Sequence, residues 1–465
     1  MLMKRKIIFS FVYFCLLLSA FFSLPADANG QNKNQTKQAA KLVAEADAVF
    51  RQKDFRAAID KYTGAIALIP SLSKAHFGKG NAHIQLNEYD QAISEMDAAL
   101  AGGYKPLDVY KIRWSLHFKK KNYDLALQDA QKVLQLEPKN SDLNIAIGEI
   151  QLARGSYREA LDVFQKSVQL DPNNADTYYY IASAYEGLGN TEQQTASATE
   201  AVKRNTKYLG ESYFLIAEAL RKDKKNAEAV EFYQKAIGAK PEIYAAYHNL
   251  SDIYRTQNQL KEAIEITKKG LQVFPEDGNL YVDLARYYSL FNQNFEAIPA
   301  AQKAVKLHPE QSSGYAILCR AYNETKQYQP ALEACNSALK INPNDGETNV
   351  YLGFTHLSLN KDEAAKDYFK KAVEKMLAFT KANPDYFDGF YSLGNAYYYV
   401  EQTQNAIEAY LKTLQLNPNF TRARFNLGLA YFVNGNLPAA REQYTILLKT
   451  NKDLADKLKQ TIDKK

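Results

Sequence analysis

Nine residues set the period of this 465-residue chain. Pro138, Pro172, Thr206, Pro241, Pro275, Pro309, Pro343, Pro384 and Pro418 follow one another at steps of 34, 34, 35, 34, 34, 34, 41 and 34. Proline cannot continue a helix, so each marks the end of a unit. Counting back from Pro138 by 34 reaches Tyr104, beside Pro106, and then Pro70; counting forward from Pro418 reaches Lys452. About twelve units result. A period of this size is the mark of a stacked repeat array, in which one unit cannot bury its apolar faces alone.

Phe387–Phe420 shows what a unit contains. Phe390, Leu393, Gly394 and Tyr397 recur at i, i+3, i+4 and i+7 and so line one helix face. After a short polar turn, Ala406, Tyr410 and Leu414 step by four, and the pattern stops at Asn417-Pro418. This stretch resembles the tetratricopeptide repeat (TPR) family, whose places are filled here by Phe390, Leu393, Gly394, Tyr397, Ala406, Tyr410 and Pro418; Thr413 departs from the usual Ala. The resemblance implies an all-α, right-handed superhelical solenoid of about twelve helical hairpins with a C-terminal capping helix. The heavy use of aromatics (33 Tyr and 23 Phe) then reads mostly as core.

Taken in order, Met1–Ala28 has the form of a secretory signal peptide. Lys4-Arg5-Lys6 is the charged start, Ile7–Phe22 the apolar core and Ala26-Asp27-Ala28 the cleavage site. Cys15 follows Phe14, not the small residue a lipoprotein box wants. Residues 29–38 are polar and read as a flexible lead-in. The solenoid runs over 39–452, and 453–465 is the capping helix, with Leu454, Leu458 and Ile462 at spacing four.

Three repeats depart from the pattern. Trp114 stands where the family keeps a small residue, so the hairpin is expected to open or its second helix to shift. The repeat at 175–208 offers few large apolar groups and lacks its closing Pro, which predicts local fraying or a bend. The repeat ending at Pro384 carries seven extra residues near 375–381. These are about two helical turns, read as a lengthened second helix whose tip projects.

Charge is nearly balanced at +6, and no basic block suggests a nucleic-acid footprint. Signatures of hydrolases, metalloproteases and phosphate-binding loops are absent, and the six histidines are scattered. No catalysis, metal or cofactor is expected. By the resemblance, Cys319 and Cys335 take facing places of one hairpin. Either a disulfide or two buried thiols fits.

The resemblance places function in the groove lined by the first helices. Projected by spacing, the C-terminal wall carries Val350, Phe354, Leu357, Tyr391, Asn395, Tyr398, Phe425, Leu429 and Phe432. This stripe is open to an apolar peptide or helix, or to cover by the capping helix. The middle wall carries Arg221, Arg255, Arg286 and Arg320, interleaved with Glu218 and Asp252. They suit acidic groups on a ligand or mutual ion pairs. Asn395, Asn426 and Arg422 are only fragments of the carboxylate clamp some TPR domains carry. Together these features predict an exported, periplasmic or secreted, non-catalytic scaffold of the cell envelope that binds proteins or peptides. Two alternatives are a factor for polysaccharide secretion or envelope and pilus assembly, and a regulatory subunit of a separate enzyme.

Overall fold

A computed structural model describes residues 28–463, with side chains from 33. The expected signal segment lies outside the described residues, save Ala28. The described residues form 25 helices and no strand, and the chain divides into two compact units between Tyr208 and Leu209.

In the first unit α1 (Ala28–Arg51) pairs with α2 (Phe55–Leu68), α3 (Ser73–Gln85) with α4 (Tyr89–Ala101), and α5 (Pro106–Lys119) with α6 (Tyr123–Leu136). Then α7 (Ser141–Ala153) pairs with α8 (Tyr157–Leu170), and α9 (Ala175–Leu188) with α10 (Thr191–Lys203). In the second unit α11 (Leu209–Lys222) pairs with α12 (Asn226–Ala239), α13 (Tyr244–Thr256) with α14 (Leu260–Val273), and α15 (Gly278–Leu290) with α16 (Asn294–Leu307). The pairs α17 (Ser312–Glu324) and α18 (Tyr328–Ile341), α19 (Gly346–Ser358) and α20 (Asp362–Ala382), and α21 (Phe387–Tyr399) and α22 (Thr403–Leu416) follow. The last pair is α23 (Thr421–Val433) and α24 (Leu437–Thr450), and α25 (Lys452–Ile462) caps it.

The ends of these helices follow from local chemistry. Asn140, Asn174, Asp277 and Asp345 accept hydrogen bonds from backbone N–H groups of the first turns they precede, which would otherwise be unpaired. Within hairpins the turn takes one left-handed residue, such as Lys121 (φ 62°) or Asn292 (φ 65°). The next N–H then reaches back to the helix, as from Asn122 to the His117 carbonyl at 2.8 Å.

Each hairpin closes by setting a small residue against a large one. A Cβ on Gly394 would fall 2.6 Å from the Tyr410 ring, and one on Gly148 closer still to the Phe164 ring. Trp114 reverses this arrangement. Its place matches Gly148, and the place of Phe164 is taken by Ala130, which is fully buried in the cluster Trp114 packs against. The expected opening of the hairpin does not occur, because a small second-helix residue makes room for the indole. In the hairpin of α17 and α18 the same two places hold Cys319 and Cys335, joined in a disulfide with Cα atoms 4.8 Å apart.

Two further expectations change, and the repeat at 175–208, which ends where the first unit ends, is fully helical in both its halves. Residues 29–38 belong to α1. Beyond Gly30 they hold no helix breaker, and extending a helix that Ala39, Val43 and Ala46 already anchor costs little. The repeat at 175–208 forms both its helices and buries Gln194, Ala198 and Ala201. Thr206, in place of proline, donates its hydroxyl to Asp176 at 2.7 Å. The seven extra residues lengthen α20 to 21 residues, against 14 in α18 and α22. Its tip does not simply project: Met376 and Thr380 are buried, and the Phe379 ring meets Tyr386 edge-on at 5.7 Å. Leu377, 46% exposed beside the partly covered Val373, and Phe379, 42% exposed, keep much of their surface open.

Candidate functional site

The first helices of the second unit carry residues that the hairpin cores do not use, and these enclose two adjoining cavities. The larger, about 460 Å³, is lined by Arg286 of α15, Arg320 of α17, Glu347 and Tyr351 of α19, and Tyr386 and Asp388 at the start of α21. Met376 and Phe379, supplied by the lengthened α20, complete one wall. The smaller, about 200 Å³, lies beyond Tyr351, which borders both. Phe354, Tyr391, Tyr398, Tyr399 and Leu429 make it largely aromatic.

Its polar floor is fully engaged. The Tyr410 hydroxyl donates to Asn395 Oδ1 at 2.8 Å, and Asn426 Nδ2 donates to the same oxygen at 2.8 Å. Asn395 and Asn426 therefore hold each other at the edge of the cavity that both line. Arg422, at the start of α23, donates to Glu324 at 3.3 Å and to Asn292, residues 98 and 130 positions earlier. This side chain ties the last repeat of the unit to two repeats across the groove.

The four expected arginines divide. Arg221 pairs with Glu218 at 2.8 Å, and Glu218 also accepts from Tyr233 and from Asn249 at 2.6 Å. Arg255 pairs with Asp252 at 2.8 Å. Both are ion pairs along their own helix. Arg320 is 12% exposed and reaches Glu347 only at 3.5 Å, and its Nε is buried without a partner. Arg286 has no hydrogen bond or ion pair among the described residues. Both guanidiniums are held charged by the acidic and phenolic groups around them, Glu347 and Asp388 among them, yet they keep hydrogen-bonding capacity that no short contact uses.

The carboxylates facing these arginines are perturbed. Burial, reinforced by Asp388 and Asp345 and opposed by Arg320 and Arg286, pushes Glu347 up to about 7. Burial likewise raises Asp388 above the ordinary carboxylate range, against the pull of Arg320, Arg255 and Arg286. Burial and the nearby Asp388 raise the Tyr386 phenol to about 12. Perturbed groups gathered in one recess are a frequent sign of a functional site.

The expected apolar stripe breaks up. Tyr391 and Tyr398 line the smaller cavity with Phe354 and Leu429. Val350 is 1% exposed and belongs to the hairpin core with Ala365, Phe369 and Ala372, because Ala396 of the next repeat closes over it; Leu357 packs against the same cluster. Phe425 and Phe432 pack into the cluster formed with Leu458 and Ile462 of α25, so the capping helix takes up that end of the stripe. Sequence reasoning missed Glu347, Asp388 and the bridging role of Arg422. All three occupy the second residue of successive first helices, and a charge recurring at that place was the available signal.

Comparison with known proteins gives the family. Tetratricopeptide repeat profiles match residues 43–105 and 391–454, 117–166, 148–189 and 348–374. The chain is a multi-repeat tetratricopeptide repeat protein. A profile of ChAPs (Chs5p-Arf1p-binding proteins) matches 192–348 of this TPR array. No curated protein matches the chain. Among solved structures, the APC/C hetero-tetramer Cut9-Hcn1 is 13% identical, covering 91% of this chain and 96% of that one, with a TM-score of 0.44. YrrB, a TPR protein with an unusual peptide-binding site, is 22% identical over 43% of this chain and 98% of its own, with a TM-score of 0.36. A tetratricopeptide repeat protein from Parabacteroides merdae is 13% identical over 55% of this chain and 98% of its own, with a TM-score of 0.45. The TPR fold is that of a protein-interaction scaffold. No described helix is long and apolar enough to cross a membrane.

Proposed function

We propose that this TPR protein is a non-catalytic scaffold of the cell envelope, exported to the periplasm or secreted, that holds a segment of a partner protein in the groove of its second unit. The observation that carries the reading is the larger cavity, where Arg286 and Arg320 face enclosed space without full partners. A side chain from outside can relieve that deficit, whereas the arginines of the neighbouring repeats are already paired. Export is supported by the charged start, apolar core and cleavage site of residues 1–28, and it agrees with the disulfide, since such bonds persist in oxidising compartments.

Affinity capture from envelope extract tests the groove, with the full chain beside a Tyr398→Ala, Arg286→Gln variant of equal helicity. The expected result is a partner held by the native chain and lost by the variant. Capture of the same proteins by both would remove the groove from the account. Fractionation of expressing cells tests the compartment: the processed chain is expected outside the cytoplasm, and an unprocessed cytoplasmic chain would overturn export.

A further inference from the structure

Within the groove reading just given, we propose that the segment recognised is an acidic one bearing a large apolar side chain within a few residues of an Asp or Glu. The carboxylate seats between Arg286 and Arg320, and the apolar group fills the aromatic cavity beyond Tyr351.

Charge complementarity supports the first half. Arg286 makes no hydrogen bond or ion pair among the described residues, though Asp283, Glu347 and Tyr386 attract it from farther off, and Arg320 keeps an orphan Nε and one long contact to Glu347. A guanidinium offers a planar fork that matches a carboxylate, and such charge-assisted bonds strengthen where water is excluded. The Arg320 guanidinium also lies 5.7 Å from the centre of the Tyr351 ring, which fixes its direction at the border of the two cavities. Shape supports the second half. The smaller cavity has room for about one large side chain; its walls are mostly rings and Leu429, with Asn395, Asn426 and the Arg422-paired Glu324 at its polar edge. Two such places on either side of one tyrosine are within reach of neighbouring side chains of an extended segment, which rises roughly 3.3 Å per residue.

Glu347 and Asp388 face the same space and would repel an anion when ionised. Around Glu347 stand Arg320 and Arg286, Asp345 on its own turn, Asp388 and Tyr386 from α21, and Tyr351 one helical turn along. Since Glu347 titrates near neutrality, an arriving carboxylate favours its protonated form. Binding therefore takes up a proton and tightens as pH falls from 8 to 6.

The test uses the full chain and an array of amidated twelve-residue peptides in a Gly-Ser background. Each carries one Glu and one Phe at separations of one to four positions, with Gln-for-Glu and Ala-for-Phe controls. Amidation excludes a terminal carboxylate. Fluorescence anisotropy is expected to show binding that needs both residues. Arg286→Gln should weaken the Glu peptide roughly 10- to 100-fold, as for loss of a hydrogen bond to a charged group, and leave the Gln control unchanged. Arg286→Lys should restore part of the loss, and Glu347→Gln should flatten the pH dependence. Circular dichroism and hydrogen exchange over α15–α21 confirm that each variant is folded. Equal binding of Glu and Gln peptides, or indifference to Arg286→Gln, overturns the acidic assignment while leaving a peptide groove in place. If no peptide binds and oligosaccharides or free dicarboxylates do, this inference and the peptide reading fall together.

Discussion

The two units are built from the same hairpin and differ in how they treat charge. In the first, buried charge is answered internally. Asp129 is 3% exposed and accepts two hydrogen bonds from Arg113, each 2.7 Å. His76 is held between Glu95 at 2.6 Å and the Pro70 carbonyl at 2.8 Å. In the second, Arg286 and Arg320 are left short of partners, and Glu347 is pushed up to about 7. The recesses of the first unit around Lys121, Asp124 and Arg154 and around Thr63, Lys79 and Glu95 are more open to solvent. The lesson is that the repeat pattern itself carries no function. The second unit differs in first-helix residues outside the pattern, where the proposed groove places its ligand.

Cutting one core ring in each unit gives the largest effect. Phe164→Ala and Phe369→Ala remove side chains that are 0% and 1% exposed and should each cost about 3–5 kcal/mol. Hydrogen exchange should confine each loss to its own unit. Only Phe369→Ala, whose ring supports Phe354 at 5.4 Å, should also weaken groove binding. Equal binding losses from both would erase the distinction between the units.

Next in size is the staple of the second unit. Reducing the Cys319–Cys335 bond, or replacing both with Ala, should cost roughly 3 kcal/mol, the scale for closing a loop of about 15 residues. Urea unfolding followed by exchange in α17 and α18 checks this, and no loss would show that packing alone holds the hairpin.

The exchanged pair in the first unit comes third. Trp114→Gly and Ala130→Phe should each destabilise, whereas the double substitution restores the ordinary small-over-large order. A coupling of about 0.5–3 kcal/mol in a double-mutant cycle is expected, and strict additivity would refute the exchange.

The smallest effect is in pH. Glu347 binds its proton more tightly folded than unfolded, so its contribution to stability is full below about 4.5 and is lost as pH rises through about 7. His248, raised by its hydrogen bond to Asp283, has the same sign from pH 6.5 upward, while His356, lowered by burial, opposes both. In the first unit burial lowers His117, so stability there is lost as pH falls below about 6.5. The pH dependence of urea midpoints from pH 5 to 8 should therefore change in Glu347→Gln for the second unit and stay as it is for the first.

The fold was largely legible, because prolines at fixed steps and a small residue facing a large one are local facts that any chain must obey. The twelve pairs and the capping helix follow from them. What sequence spacing misjudged was compensation at a distance. Trp114 looked disruptive only while Ala130, sixteen positions on, was read separately. Val350 looked like groove because helical projection does not show Ala396 closing over it. Arginine spacing drew attention to this wall but could not show which guanidinium lacks a short hydrogen bond, since Glu347 and Asp388 arrive from later repeats.

Arg422 gives the second unit a mechanical character that its repeats alone lack. An untied stack of hairpins stretches like a spring, each interface giving a little. Here one side chain joins turns 98 and 130 residues apart, so that stretch behaves as a fastened loop. Its grip is slight, because Arg422 and Glu324 remain 29% and 31% exposed and such pairs contribute about 0–1 kcal/mol. A gentle pull, or added salt, should release the clasp before any helix yields, leaving the spring intact and the groove wide.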